Sequence, residues 1–162
     1  MTIYLKSTDI EGGVTTKGFE KTFELESISF GVTRNVGSRV GKTVTDSSLG
    51  VISEISISKV YDVASTKLFA NAFSGAILKT MVISLCRQDK AGPQVYSEIT
   101  LGNVIIAGYN ISGMGGEGSP APQESINLNY STISIKNTPI KEDGSQGTPA
   151  TTGWSLITNA AM

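Results

Sequence analysis

Apolar and polar positions alternate with a period of two along most of the chain, the pattern of β-strands that bury one face. In KTFELESISFG, Phe23 and Leu25 alternate with Glu24 and Glu26, and then the phase slips so that Ile28 and Phe30 become the apolar pair. A one-residue slip predicts a β-bulge. Beyond it, Ser27, Ser29 and Gly31 fall opposite Ile28 and Phe30. SEISISKV alternates cleanly, with Ile55 and Ile57 against Ser56 and Ser58. MVISLCR puts Met81, Ile83 and Leu85 on one face, and QVYSEITL does the same with Val95, Ile99 and Leu101. NVIIAGYNIS is apolar on both faces and reads as a central, doubly covered strand. SINLNYSTISI carries Ile126 and Leu128 and then slips to Ile133 and Ile135, a second predicted bulge. With the short IYLK near the N-terminus, the pattern predicts about seven strands.

One segment has a helical period. In DVASTKLFANAFSG, Leu68, Phe69, Ala72 and Phe73 share a face. Asp62 or Ser65 can cap its start, and Gly75 lies just past its end. Strands with a single helix predict a β-barrel or two packed sheets with a helix at the side. Three stretches have no period: a long polar loop at 34–50 with Arg34, Arg39 and Lys42, a Gly/Pro-rich loop at 113–122, and a linker-like segment at 137–153 before Trp154. An unstructured loop as long as the first usually has a function.

Composition narrows the chemistry. The chain has 162 residues, enough for one domain with a core of its own and without staples. It has no His, which excludes a Ser-His-Asp triad, a Cys-His dyad and imidazole metal ligands. Its one Cys, Cys86, excludes an intrachain disulfide and a Cys-cluster zinc site, and in the run TMVISLC it reads as a small packed hydrophobe. A formal net charge of −1 offers no global field for nucleic acid or an anionic membrane. No apolar run reaches the length of a membrane span, and MTIYLKSTDIEGG lacks the basic start and apolar stretch of a signal peptide. Charged residues make up 17%, against about a quarter in ordinary soluble proteins. Such a chain suits β structure and a surface covered largely by copies of itself.

The motifs with a chemical look are better read as structure. Gly113, Gly115 and Gly118 spell G-x-G-x-x-G, but Ser119-Pro120-Ala121-Pro122 follows where the dinucleotide fingerprint needs a helix, so a hairpin loop is expected. GSRVGKT resembles a phosphate loop with Gly37 one residue too close to the Gly-Lys-Thr. Glu24 and Glu26 share the polar face of a strand with nothing apolar around them in sequence, so they read as a solvated or interface face. The sequons Asn110-Ile-Ser112 and Asn129-Tyr-Ser131 carry no meaning without a secretory signal. The residues alone thus describe a non-enzymatic β domain with one helix and one basic loop, without metal or cofactor.

The whole chain resembles the haemolysin-coregulated protein (Hcp) family, the tube subunit of the bacterial type VI secretion system. The family's short first strand and Gly-containing turn match IYLKSTDIEGG. Its aromatic-Ser-aromatic-Gly run matches ISFG, with Ile28 at the first aromatic, and a loop of variable length follows, here 34–50. Its K-x-x-D helix signature matches KVYDVASTKLFANAFSG, with Thr66 at the usual Pro. ITLGNVIIAGYNISGMGGEGSPAPQESINLNYSTISI matches its strand, Gly-rich loop and P-x-E return strand, and GWSLITN from Gly153 to Asn159 matches its tail.

The resemblance implies a mainly β fold over 1–162: a β-barrel of two packed antiparallel sheets with one short flanking helix. It implies a homohexameric ring, rings stacked into a hollow tube, and a contractile sheath and spike protein as partners. Small effector proteins would ride in the lumen, with neither nucleic acid nor membrane insertion involved. The family's lumen-facing, effector-binding Ser falls on Ser29, with Ser27 and Thr33 as companions. Arg34, Arg39, Lys42 and Trp154 are the expected oligomer contacts. The subunit would be cytoplasmic before assembly and then leave through the apparatus without a cleaved leader. A phage-tail-tube-like protein and a generic β-sandwich binding module are the rival readings. The low aromatic content and single Trp argue against a carbohydrate-binding sandwich.

Overall fold

The computed structural model describes residues 1–34, 50–89 and 92–162, with the backbone alone of 36–37 and 46–47. In chain order the strands are β1 (Thr2–Ser7), β2 (Phe23–Leu25), β3 (Ser27–Ser29), β4 (Val32–Thr33), β5 (Val36–Gly37), β6 (Asp46–Ser47), β7 (Val51–Ile52) and β8 (Ile55–Val60). Helix α1 (Ser65–Ser74) comes next. The chain continues through β9 (Leu78–Asp89), β10 (Gly92–Ser112), β11 (Gln123–Asn129), β12 (Thr132–Asn137), β13 (Ala150–Ser155) and β14 (Ala160–Ala161).

These strands form two antiparallel sheets. The larger has the order β2-β1-β9-β10-β12-β13-β14 and uses the first half of β10. The smaller has the order β10-β11-β8-β3 and uses the second half of β10. The two short ladders β4–β7 and β5–β6 lie apart from both.

The phase slips in the sequence mark the places where the chain passes from one sheet to the other. At Glu26 the chain leaves β2, paired with β1, and enters β3, paired with β8. The Glu26 N–H bonds to the Ser58 carbonyl at 2.8 Å and anchors the crossing. The second slip lies between β11 and β12, where the Ser131 N–H bonds to the Gly102 carbonyl at 3.0 Å. Both slips are therefore strand breaks rather than bulges in a continuing strand. The bulges lie in β10, where the register shifts between Val95 and Ser97 and between Ile106 and Gly108.

The two segments expected as separate strands, 94–101 and 103–112, are one strand of 21 residues. Asn103 takes a left-handed φ of 49° at the bend, a conformation Asn tolerates better than most residues. Next to it, a Cβ on Gly102 would run into the Thr132 hydroxyl, so only glycine fits where β12 passes. The second half of β10 is not doubly covered: Ile106 is buried, but Ile105 and Ala107 on its other side are exposed.

The core lies between the inward faces. Phe23, Met81, Ile83 and Leu101 come from the larger sheet and Ile55, Ile57, Ile126 and Leu128 from the smaller, all buried with Leu68 of α1. Each such side chain contributes about 1.5–3 kcal/mol through burial. The Asp62 carboxylate accepts hydrogen bonds from the Ala64 and Ser65 N–H groups at the start of α1. Gly75 ends the helix at φ 67°, its N–H on the Asn71 carbonyl. The apolar stripe of the helix is narrower than its sequence period suggests. Leu68 is buried, while Phe69 is 55% and Phe73 89% exposed. Phe69 meets Tyr109 edge-on at 5.7 Å and stays at the rim.

Candidate functional site

The outward face of the smaller sheet is built from positions that alternate with the core residues. On β8, Ile55, Ile57 and Lys59 point in, which turns Ser56 and Ser58 out. On β11, Glu124, Ile126 and Leu128 point in, which turns Gln123, Ser125, Asn127 and Asn129 out. Register then lines the outward side chains into rows across the strands. One row runs Ser27, Ser58, Ser125, Asn110, and the next runs Ser29, Ser56, Asn127, Gly108. Side-chain hydrogen bonds tie the rows together. The Ser27 and Ser58 hydroxyls lie 2.6 Å apart, and the Ser56 hydroxyl donates to Asn127 Oδ1 at 2.7 Å. Asn127 lies over Gly108, where a Cβ would press on its amide at 3.3 Å.

Beneath this face sits a buried polar cluster. Lys59 and Glu124 are direct partners across β8 and β11, both almost fully buried, with Nζ to Oε2 at 3.2 Å. Lys59 Nζ also donates to the Val60 carbonyl at 2.7 Å and the Ser65 hydroxyl at 3.2 Å, and pairs with Asp62 at 3.2 Å. Tyr109 donates its hydroxyl to Glu124 Oε1 at 2.7 Å. Burial first, and then the Glu124 carboxylate, push the Tyr109 hydroxyl well above its ordinary range. Among the described residues, no buried side-chain nitrogen or oxygen lacks a partner. The cluster is therefore satisfied and structural. It ties the first turn of α1 to three strands of the smaller sheet.

A second surface feature lies at the ends of the long loop. Val32, Arg34, Gly50, Val51, Ile52, Trp154, Leu156 and Asn159 line an apolar groove of about 380 Å³. Trp154 is held on β13 between Ile133 of β12 and Ala161 of β14, with 38% of its surface exposed.

Of the residues singled out from sequence, Ser27 and Ser29 fall together on the outward face of the smaller sheet, both exposed. Thr33 does not join them. It belongs to the separate β4–β7 ladder, its hydroxyl on the Val51 carbonyl at 3.4 Å. Arg34 and Trp154 come together in the groove, whereas Arg39 and Lys42 lie outside the described residues. The phosphate-loop-like segment also lies largely outside them, and the G-x-G-x-x-G segment is the loop between β10 and β11. Glu24 and Glu26 are exposed.

Ser56, Ser58, Ser125, Asn127 and Asn110 were not singled out, although alternation in SEISISKV and SINLNYS marks most of them as polar-side positions. Lys59 and Glu124 were legible only as a charged residue in phase with core isoleucines. Among the described residues, no group of three His, Cys, Asp or Glu side chains is placed to hold a metal ion. No described helix is long and apolar enough to cross a membrane.

Comparison with known proteins gives a consistent answer. A search among curated protein sequences gives no significant match. Among solved structures, one described as a type six secretion system protein superposes with a TM-score of 0.91 at 25% identity, covering 99% of both chains. Hcp1 from Salmonella typhimurium superposes with a TM-score of 0.79 at 20% identity, covering 99% of this chain and 98% of its own. A type VI secretion system effector from Yersinia pestis has a TM-score of 0.71 at 15% identity, covering 94% and 98%. The family model described as type VI secretion system effector, Hcp, matches residues 4–136, most of the chain, and the protein therefore belongs to the Hcp family of type VI secretion.

Proposed function

We propose that this chain is the structural tube subunit of a type VI secretion system, a single domain over 1–162 whose two sheets wrap the core as a barrel. Copies close into a hexameric ring, rings stack into a hollow tube, and small effector proteins ride in the lumen. A contractile sheath drives the tube behind a spike protein. The subunit is made in the cytoplasm and leaves through the apparatus. The protein is not an enzyme and works by assembly.

The observation that carries this reading is the arrangement of the smaller sheet. Its outward face is mostly polar, with exposed Val60 and Ile105 at its two ends. Among the described residues it ends in two different strands that each have one partner within it: β3 pairs with β8, and the second half of β10 pairs with β11. Two unlike edges support head-to-tail contacts, which close into a ring when the rotation allows. A ring so closed places the Ser27 and Ser29 rows along one continuous wall. Arg34, Arg39, Lys42 and Trp154 serve as contacts between copies. Exposed ion pairs there give about 0–1 kcal/mol each and set register more than strength, while Trp154 and its apolar groove supply the anchor.

Light scattering of the purified protein, with negative-stain imaging of the same peak, tests the proposal. The expected result is the mass of a hexamer and hollow rings. A monomer at high concentration without rings would overturn it.

A further inference from the structure

We infer that the outward face of the smaller sheet recognises cargo proteins by an uncharged surface rich in Ser, Thr, Asn and Gln, through neutral hydrogen bonds and without ion pairs. The inference rests on the tube reading above, in which this face lines the lumen.

Four strands contribute the face, and none of the side chains in its rows is charged. The rows hold Ser27, Ser58, Ser125 and Asn110, then Ser29, Ser56, Asn127 and Gly108, with Val60, Gln123 and Ser112 at one end and Asn129 and the exposed Ile105 at the other. The two charged residues within β8 and β11, Lys59 and Glu124, both turn inward and neutralise each other at 3.2 Å. Glu26 and Glu54 stand just outside the strands, at their ends, with Glu54 accepting from Asn129 at 3.5 Å.

Charge decides which partner fits. A charged group pressed against these rows gives up hydration and finds no countercharge within them, the Glu26 and Glu54 carboxylates standing only at their ends, which is unfavourable. An apolar group strands the serine hydroxyls and asparagine amides without partners. Only a partner with its own neutral donors and acceptors replaces the water it displaces. The face is also prepared for such contacts. Its side chains are short, so ordering them costs little entropy, and the Ser27–Ser58 and Ser56–Asn127 bonds already hold the rows in place. Many weak, uncharged contacts also release cargo easily, as a delivery tube requires.

The test uses three fluorescent peptides of equal length on the wild-type assembly: one built from Ser, Thr, Asn and Gln, and two in which evenly spaced positions become Lys or Glu. Binding is read by anisotropy at about 50 and about 500 mM NaCl. The neutral peptide should bind tightest, with an affinity that changes by less than about twofold between the two salts. Ser58→Val combined with Asn127→Leu should weaken it by about tenfold or more while imaging still shows rings. If that pair disturbs folding, Ser125→Val on the exposed side of β11 gives the same readout. Tighter, salt-sensitive binding of the Lys or Glu peptide would overturn the inference, as would no binding of any peptide to intact rings. Absence of rings would overturn the tube reading alone. Anisotropy on the monomer would then decide the inference by itself.

Discussion

Cys86 shows how a single residue in an apolar run acquires its properties from the fold. Its thiol is fully buried on β9, and burial pushes its pKa from 9.0 to about 11. The thiol is therefore protonated and shielded at neutral pH, and a thiol reagent at pH 8 should label it only after unfolding. The sign of the pH effect follows by linkage. An acid whose folded pKa is raised contributes stability fully below the unfolded value, and that contribution is lost as pH rises from about 9 towards 11. Thermal unfolding should show a loss of up to about 3 kcal/mol across this window, and Cys86→Val should reduce that loss. Rapid native labelling, or an unchanged alkaline profile in the variant, would show the thiol to be accessible. Sequence placed Cys86 in the packed interior correctly, because a Cys among Ile, Leu and Val has one plausible environment. It left open the burial of Lys59 and Glu124, which depends on two strands far apart in the chain lying side by side.

At the scale of elements, those two residues decide how α1 sits on the smaller sheet. Lys59 to Met alone should cost about 3–5 kcal/mol, since it leaves Glu124 buried and uncompensated. Lys59→Met together with Glu124→Leu should cost much less, because the charge is removed with its partner. Chemical denaturation of the two variants measures the difference, and equal losses would show that the pair is not coupled. The resemblance quoted both halves of this cluster, the K-x-x-D before the helix and the P-x-E before β11, and the fold brings them together as Lys59, Asp62 and Glu124. The strands themselves were largely legible, as was the helix with its Asp62 and Gly75 ends. The joining of 94–112 into one strand was not, because Gly102 and Asn103 look like a break in sequence. Only the neighbouring β9, paired with Gly102 on one side of the bend and Val104 on the other, shows that the ladder runs on through it.

For the whole molecule, the loop at 34–50 is the element whose removal should separate folding from assembly. Its ends lie at the groove that holds Trp154 and Leu156, and neither Arg34 nor Gly50 belongs to the buried core. Deleting 34–50 should leave a subunit with an unchanged circular dichroism spectrum and cooperative unfolding, but one that no longer forms tubes in negative stain. Normal tubes from that deletion would remove the loop from the assembly account.

The sequence by itself determined the β class, the single helix, the polar side of each strand and the absence of histidine chemistry. These are local properties, set by alternation, capping and residue type. Only the tertiary structure decided which strands lie side by side, and so which polar positions join into one surface. Ser27, Ser58, Ser125 and Asn110 are scattered over more than half the chain, and antiparallel register alone makes them a row. The same register placed Lys59 against Glu124 and left the outward face without charge. Pairing between distant strands is a cooperative choice of the folded chain, which no local pattern encodes.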